Sequence, residues 1–391
     1  MALLYLNSPY IVEAQSNANG GLQGCSIQIW IYDGDKGGRA GSPTITLKST
    51  ALNPTDTVYI DIAGVCSDYL DTLYDGSYTS KTIWISYRRM GIFVDGSVQN
   101  IPYVIDGANV EYITLTGVEG YKFYEEGIQR YGTGNDSVLL TTDIIRIPKG
   151  DNFKIPVYSE ETASVVFIQD GESYYSKSIS TSNDSNEQIV YVDSNGGDIS
   201  EYISKVTYLN ATFEENKCKK NIQYNVFEGR EPERVIIADK NGNTRVIKVE
   251  RDSECLYETV KITYLSRFGV KRDLFFFKKN VKKIDIERSE YKSNTIRHIY
   301  ETGSLTKHRN AAYGVNGTET LTLNSGYVSE ALNDDFRELL LSEKVWITKD
   351  NQILPVNVES SSMTYKTHLN DKLINQQIDF KYSYKKINKV R

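Results

Sequence analysis

With 391 residues, 39% hydrophobic and 25% charged side chains and only 8 prolines, the chain is too apolar to be intrinsically disordered and too long for one hydrophobic core. Two or three domains are expected. A net charge of only −6 argues against a dedicated nucleic-acid binder, and no window reaches the run of about 18 apolar residues that a membrane helix needs.

The opening MALLYLNSPYIVEAQ has no basic leader and no sustained apolar core, so no secretory signal is expected there. Residues 1–140 then alternate in the manner of strands: SIQIWIY (26–32), TITLKS (44–49), TVYIDI (57–62), TIWISYRR (82–89) and EYITLTG (111–117). DGDKGG (33–38) and NPTD supply turns. An N-terminal antiparallel β-sandwich is expected. Val65, Tyr69, Leu70 and Leu73 fall at helical spacing and predict one short helix at its end.

Residues 141–251 predict a second, immunoglobulin-like β-sandwich. Pro148 and Pro156 confine IIRIPKGDNFKIPVYSE to strand ends or edges. VVFIQDGESYYSKSIS reads as a hairpin turning at Asp170-Gly171, and RVIIADKNGNTRVIKVE as one turning at Asn241-Gly242 in a type I′ turn. DISEYISKV (198–206) echoes the earlier DIAGVCSDYL, a weak sign that the two sandwiches are related.

Residues 252–391 predict a β-rich domain with one packed α-helix over about 326–343. Val328, Leu332, Phe336, Leu339 and Leu340 form its apolar stripe, with Asn324 or Ser325 as N-cap. Glu330, Asp334 and Asp335 sit in its first half, where the helix dipole favours acids. KVWITKDNQILPVNV predicts a hairpin around Asp350-Asn351, and NQQIDFKYSYKKI a final strand. In VKITYLSRFGVKRDLFFFKK, a strand, a glycine-containing turn and a returning strand put Phe275 and Phe277 on one face and Phe276 with Leu274 on the other. Both faces are apolar, so cover is needed on both, from the core or from another subunit. Stacking of nucleic-acid bases is disfavoured, because stacking platforms space their aromatics along one exposed face.

Chemical motifs are absent. The chain has no phosphate-binding Gly-rich loop, no G-x-S-x-G and no H-E-x-x-H. Cys25, Cys66, Cys218 and Cys255 are too dispersed for a zinc site, as are His298, His308 and His368, and the thiols are read as reduced. The adjacent acids Glu125-Glu126, Glu214-Glu215 and Asp334-Asp335 point to opposite sides of an element and cannot flank one bond. DGDKGG lacks the further ligands of a calcium loop. No catalytic residue, cofactor or metal is expected.

Charge and tyrosine carry more information. Residues 1–160 hold 11 Lys/Arg against 18 Asp/Glu, and residues 260–310 hold 13 against 5. An acidic front and a basic rear suit head-to-tail association. The 29 tyrosines suit half-buried strands and contact surfaces. The lysines of KKNVKK (278–283) read either as protection of an edge strand or as groups that meet acidic protein.

Residues 261–279 (KITYLSRFGVKRDLFFFKK) and 321–391 (LTLNSGYVSEALNDDFRELLLSEKVWITKDNQILPVNV to the end) resemble structural virion proteins of tailed phages of Bacteroidota, the crAss-like phages included. The resemblance spans about residues 250–391 and lies in overall pattern. It implies a non-enzymatic tail hub or portal-proximal ring protein that forms a closed homo-oligomeric ring and contacts other tail and portal-proximal proteins. DNA would pass nearby without specific binding, no membrane is involved, and the site is the virion tail after assembly in the host cytoplasm. On this reading Phe275, Phe276, Phe277, Lys282 and Lys283 are the candidate subunit-interface residues. The alternatives are a receptor- or carbohydrate-binding adhesin module and a tail-borne hydrolase.

Overall fold

The computed structural model describes residues 3–14, 22–32, 39, 41–53, 57–78, 82–105, 107–122, 133–134, 137–158, 162–170, 172–178, 189–193, 232–253, 256–292, 306, 308, 310–350, 352–360 and 373–387. The chain is mainly β, with several sheets and few helices. It divides into two units, Met1–Asp252 with Leu265–Asp273, and Ser253–Tyr264 with Leu274–Arg391.

The first unit contains β1 (Leu3–Tyr5), β2 (Ile11–Ala14), β3 (Leu22–Tyr32), β4 (Ile45–Thr50), β5 (Val58–Asp61), α1 (Ala63–Ser67), β6 (Ile83–Phe93), β7 (Val98–Asn100), β8 (Tyr103–Ile105), β9 (Ala108–Val110), β10 (Ile113–Val118) and β11 (Thr133–Gly134). It continues with β12 (Ile144–Pro148), β13 (Lys154–Tyr158), β14 (Thr162–Gln169), β15 (Glu172–Ser178), β16 (Ile189–Asp193), β17 (Arg234–Asp239) and β18 (Thr244–Asp252).

Among the described residues, one sheet of this unit runs β11-β1-β10-β6-β3-β4 with β7 on β6, and another runs β12-β18-β17-β14-β15. Neither is wholly antiparallel, as the alternation alone implied. β1 lies parallel to β10, and β12 parallel to β18. Parallel partners must come from well apart in sequence, and no local pattern announces them.

Period-2 alternation in β3 sends Cys25, Ile27 and Ile29 to one face, where they meet Val12, Ala14, Val58 and Ile60 of the β2–β5 ribbon and Cys66 of α1. β1 is buried on both sides. Leu4 joins that core, while Leu3 and Tyr5 turn the other way, to Val118, Leu139, Tyr158, Ile189, Phe268 and Val270. Here two backbones nearly touch: Tyr121 N donates to Arg267 O at 2.6 Å. A Cβ on Gly120 would stand 2.5 Å from that oxygen, and one on Gly269, whose φ is +70°, 2.8 Å from the Glu119 backbone. Only glycine fits either position.

Two local expectations change. The short helix ends at Ser67, and Tyr69 and Leu73 are exposed, so only the beginning of the apolar spacing is used. The Asn241-Gly242 hairpin is not type I′, because Gly242 has φ +84° while Asn241 stays out of the positive region. Asp239 Oδ1 accepts from the backbone N–H groups of Asn241 and Asn243, both at 2.8 Å, and this holds a three-residue loop with a glycine bulge.

The second unit contains β19 (Val260–Leu265), β20 (Lys271–Phe276), β21 (Val281–Lys292), β22 (Asn310–Ser329), a 3-10 turn (Glu330–Leu332), α2 (Asn333–Leu341), β23 (Val345–Lys349), β24 (Gln352–Val358), β25 (Leu373–Tyr382) and β26 (Lys386–Ile387). The ends of β19 and β20 at Leu265 and Lys271–Asp273 are counted with the first unit. The sheet order is β20-β19-β23-β24-β25-β22-β21, with β26 on β22.

α2 is shorter than the apolar stripe predicted, because residues 324–329 pair with β25 and remain strand. A register shift between Asn324 and Tyr327 accommodates Gly326 at φ +68°. Both residues expected to cap the helix serve this bulge. Asn324 Oδ1 accepts from Gly326 N at 2.8 Å, and Ser325 Oγ accepts from Gln376 N at 3.0 Å. Ser329 becomes the N-cap of the 3-10 turn.

Phe276 is fully buried, its ring 6.2 Å from that of Phe336 on α2 and 5.9 Å from that of Phe380 on β25. Such T-shaped contacts add to the area term. Phe276→Ala is expected to destabilise the second unit by about 3–5 kcal/mol, read as a lower urea midpoint with an unchanged slope.

Candidate functional site

The strand β21 ends the larger sheet and is its longest exposed element among the described residues. Every residue of β21 is exposed, from Val281 to Lys292. At about 3.4 Å per residue its edge is about 40 Å long. It pairs antiparallel with β22 over that whole length, with a register shift between Ser289 and Glu290 where Tyr313 of β22 is the extra residue, whereas β26 reaches β22 only at Asn316 and Gly317 and β25 only from Thr320 onward. The outer end of the β21–β22 ribbon is therefore two strands wide among the described residues, with Tyr291 and Tyr313 close together near its end, their rings 6.1 Å apart.

The two faces of β21 differ in character. Ile284 stands opposite Glu319, and Lys282 opposite Leu321, on the face where Leu321 also stands opposite Phe380 and α2 covers the sheet. Lys283 and Asp285 stand opposite Thr320 and Thr318 on the polar face. Ile284 and Ile286 thus prolong the helix-covered apolar face to the sheet edge, where they are 47% and 51% exposed.

The five candidate interface residues separate into two groups. Phe275, Phe276 and Phe277 are buried within the chain, the first and third rings 6.4 Å apart on the face opposite Phe276. In the single chain Phe275 is 8% exposed and Phe276 and Phe277 are fully buried. Lys282 and Lys283 are exposed on β21, yet both already have carboxylate partners. Lys282 Nζ lies 2.9 Å from Glu319 Oε2, and Lys386 Nζ lies 2.5 Å from Glu319 Oε1. Lys386 first, then Lys282, hold the Glu319 carboxyl below its ordinary range against the opposing effect of burial. Lys283 meets the exposed Asp285 at 2.7 Å, and Lys385 approaches Glu287 at 3.8 Å.

The first unit holds a buried polar cluster that no sequence motif announced. Tyr78 Oη donates to Asp273 and accepts from Tyr74 Oη at 3.0 Å. Lys271 Nζ donates to Ser77 O at 3.1 Å, and Lys271 N donates to Tyr191 Oη at 2.8 Å. Lys154 pairs with Asp193 at 3.1 Å and lies 5.6 Å from the centre of the Tyr78 ring. Burial, reinforced by Asp273 and Tyr74, drives the Tyr78 hydroxyl far above its ordinary range, and burial lowers Lys271. A tyrosine held this firmly in its protonated form is a structural donor. The cluster fastens Lys271 and Asp273 to residues 74–78 and to β16.

The thiols of Cys25 and Cys66 are free and buried. Burial pushes Cys25 up to about 11 and Cys66 up to about 12. Among the described residues no group of three or more His, Cys, Asp and Glu could hold a metal ion, and no helix is long and apolar enough to cross a membrane. The DGDKGG loop, Glu125-Glu126, Glu214-Glu215, DISEYISKV, Cys218, Cys255, His298 and His368 lie outside the described residues. No family model, curated protein or solved structure matches the chain.

Two outcomes are expected. Lys282→Glu, which places a carboxylate beside Glu319, should lower stability by about 1 kcal/mol or more, while Lys283→Glu leaves the urea midpoint essentially unchanged. In a Cys218→Ser, Cys255→Ser background the remaining thiols should resist a thiol reagent at pH 8 until denaturant is added. The folded chain keeps both thiols protonated where the unfolded chain releases those protons. Stability therefore falls as pH rises from about 9 toward about 12, and Cys66→Ala should flatten that alkaline slope.

Proposed function

We propose that this chain is a non-enzymatic structural component of a bacteriophage virion, a tail hub or portal-proximal ring protein that assembles into a closed homo-oligomeric ring. The observation that carries the assembly part of the reading is the twelve-residue strand β21, exposed along its whole length at the end of an eight-stranded sheet. Monomeric proteins shorten, cover, interrupt or charge such edges, and of these devices β21 shows charge, on both its faces. A long edge without proline, and without cover among the described residues, suits a chain whose sheet is completed by other chains.

The pattern of residues 261–279 and 321–391 supports the virion reading, and the acidic front and basic rear of the sequence suit head-to-tail contact. A ring with heterologous contacts needs two different patches per subunit, one of each sign. Tail and portal-proximal proteins are the partners on this reading, and the virion tail is the location.

An adhesin that binds glycans would favour exposed tryptophan. Trp30, Trp84 and Trp346 are 5%, 2% and 8% exposed, and the Trp30 ring packs edge-on against Tyr112 at 5.5 Å beneath Arg88. A glycan platform would have to be built from tyrosine instead.

The purified full chain is expected to form one closed oligomer of defined mass in native mass spectrometry. Raising salt from about 0.05 M to about 0.5 M should weaken it, since exposed charges are screened over that range. A strictly monomeric chain that binds no tail component, or a chain that turns over host polysaccharide, would overturn the assignment.

A further inference from the structure

We infer that β21 is a self-pairing edge, and that its occupant is β21 of a second copy of this chain, running antiparallel about a twofold axis through Ile286. This does not rest on the virion reading. A ring closes through heterologous contacts, whereas this contact is isologous, and the two together would stack a pair of rings back to back.

The argument begins with parity. In an antiparallel pair, residues directly opposite one another project from the same face of the sheet. A twofold axis perpendicular to the sheet therefore matches even-numbered residues of β21 with even-numbered ones, and odd with odd. Only registers centred on a residue are allowed, and charge selects among them.

Centring on Ile286 puts Ile286 against its own copy, Ile284 against the aliphatic stem of Arg288, and Lys282 against Glu290, all on the helix-covered face. On the polar face it puts Val281 against Tyr291 and Lys283 against Ser289. The one adverse match is Asp285 against Glu287. Each of these already has a lysine of its own chain, Lys283 at 2.7 Å and Lys385 at 3.8 Å. Shifting the centre to Asp285 would set Ile284 against Ile286 and Lys283 against Glu287, but it would also oppose Lys282 to Arg288 and Asp285 to itself. Shifting it to Glu287 would oppose Lys282 to Lys292 and Glu287 to itself.

Hydrophobic continuity favours pairing along this edge. Ile284 and Ile286 extend the apolar face formed by Leu321 and Phe380, and both remain about half exposed in the single chain. Pairing about Ile286 brings four isoleucines together at the seam, two from each copy. Gly317 opposite Ile286 leaves room for them: a Cβ there would stand 3.0 Å from Ile284 Cδ1. The joined sheet would contain sixteen strands, twice the eight of one copy, with the two β21 strands at its centre.

The test uses the full chain with Cys218→Ser and Cys255→Ser. Ile286→Cys in this background is expected to form a disulfide-linked dimer on mild oxidation, while Asp285→Cys and Glu287→Cys, tested separately, should not. Glu290→Lys should weaken self-association about tenfold by sedimentation, because it turns two attractive cross-strand pairs into repulsive ones. Ile286→Lys should abolish the twofold contact with the circular dichroism spectrum unchanged. Dimers linked through position 285 or 287 instead of 286 would overturn the register. Self-association that survives Ile286→Lys with no linkage at 286 would overturn the contact but leave the ring reading standing. A monomer at all concentrations would overturn both.

Discussion

A β-strand that is apolar on both faces cannot stand at an exposed position, and Leu274–Phe277 is such a strand. Phe276 fills the space between the sheet and α2, against Phe336 and Phe380, and Phe275 and Phe277 occupy the opposite face. Because α2 covers the sheet through these contacts, the polarity of each outlying strand follows from which face it continues. The same alternation that buries Leu321 and Leu323 leaves Ile284 and Ile286 at the rim. The core of the second unit and the candidate assembly edge are thus parts of one apolar face.

Charge has a more local role here than its uneven distribution along the chain implied. The lysine-rich run around 278–283 is not a free basic surface, since Lys282 is tied to Glu319 and Lys283 to Asp285. Glu319 is only 9% exposed at its side chain and has two lysines, so part of that charge stabilises the ribbon itself. Exposed pairs such as Lys283 with Asp285 contribute little to stability. Their effect is to neutralise one face of β21, which lowers the cost of bringing a like-charged strand alongside.

The buried tyrosine cluster of the first unit accounts for part of the tyrosine excess without any reactive role. Tyr191 accepts from the Lys271 backbone N–H, and Tyr78, which accepts from Tyr74, donates to the Asp273 carboxylate; Lys271 and Asp273 are local neighbours of the triple phenylalanine in sequence but belong to the first unit. Buried polar groups of this kind are stable only when each hydrogen-bonding group has a partner. The close approach of Gly120 and Gly269 serves the same segment through the backbone.

What the amino-acid sequence determined by itself was periodicity: strands at 26–32, 82–89 and 111–117, the two-faced character of Leu274–Phe277, the helix residues Phe336 and Leu339, and the absence of a known catalytic motif. These follow from neighbours two to four residues apart, which the chain displays directly. Tertiary structure alone decided the parallel partners of β1 and β12, the diversion of Asn324 and Ser325 from helix cap to strand bulge, the pairing of Lys282 with Glu319, and the exposure of all of β21. Each of these depends on strands brought together from about 20 to about 115 positions apart, and alternation assigns a residue to a face without saying what, if anything, will cover it.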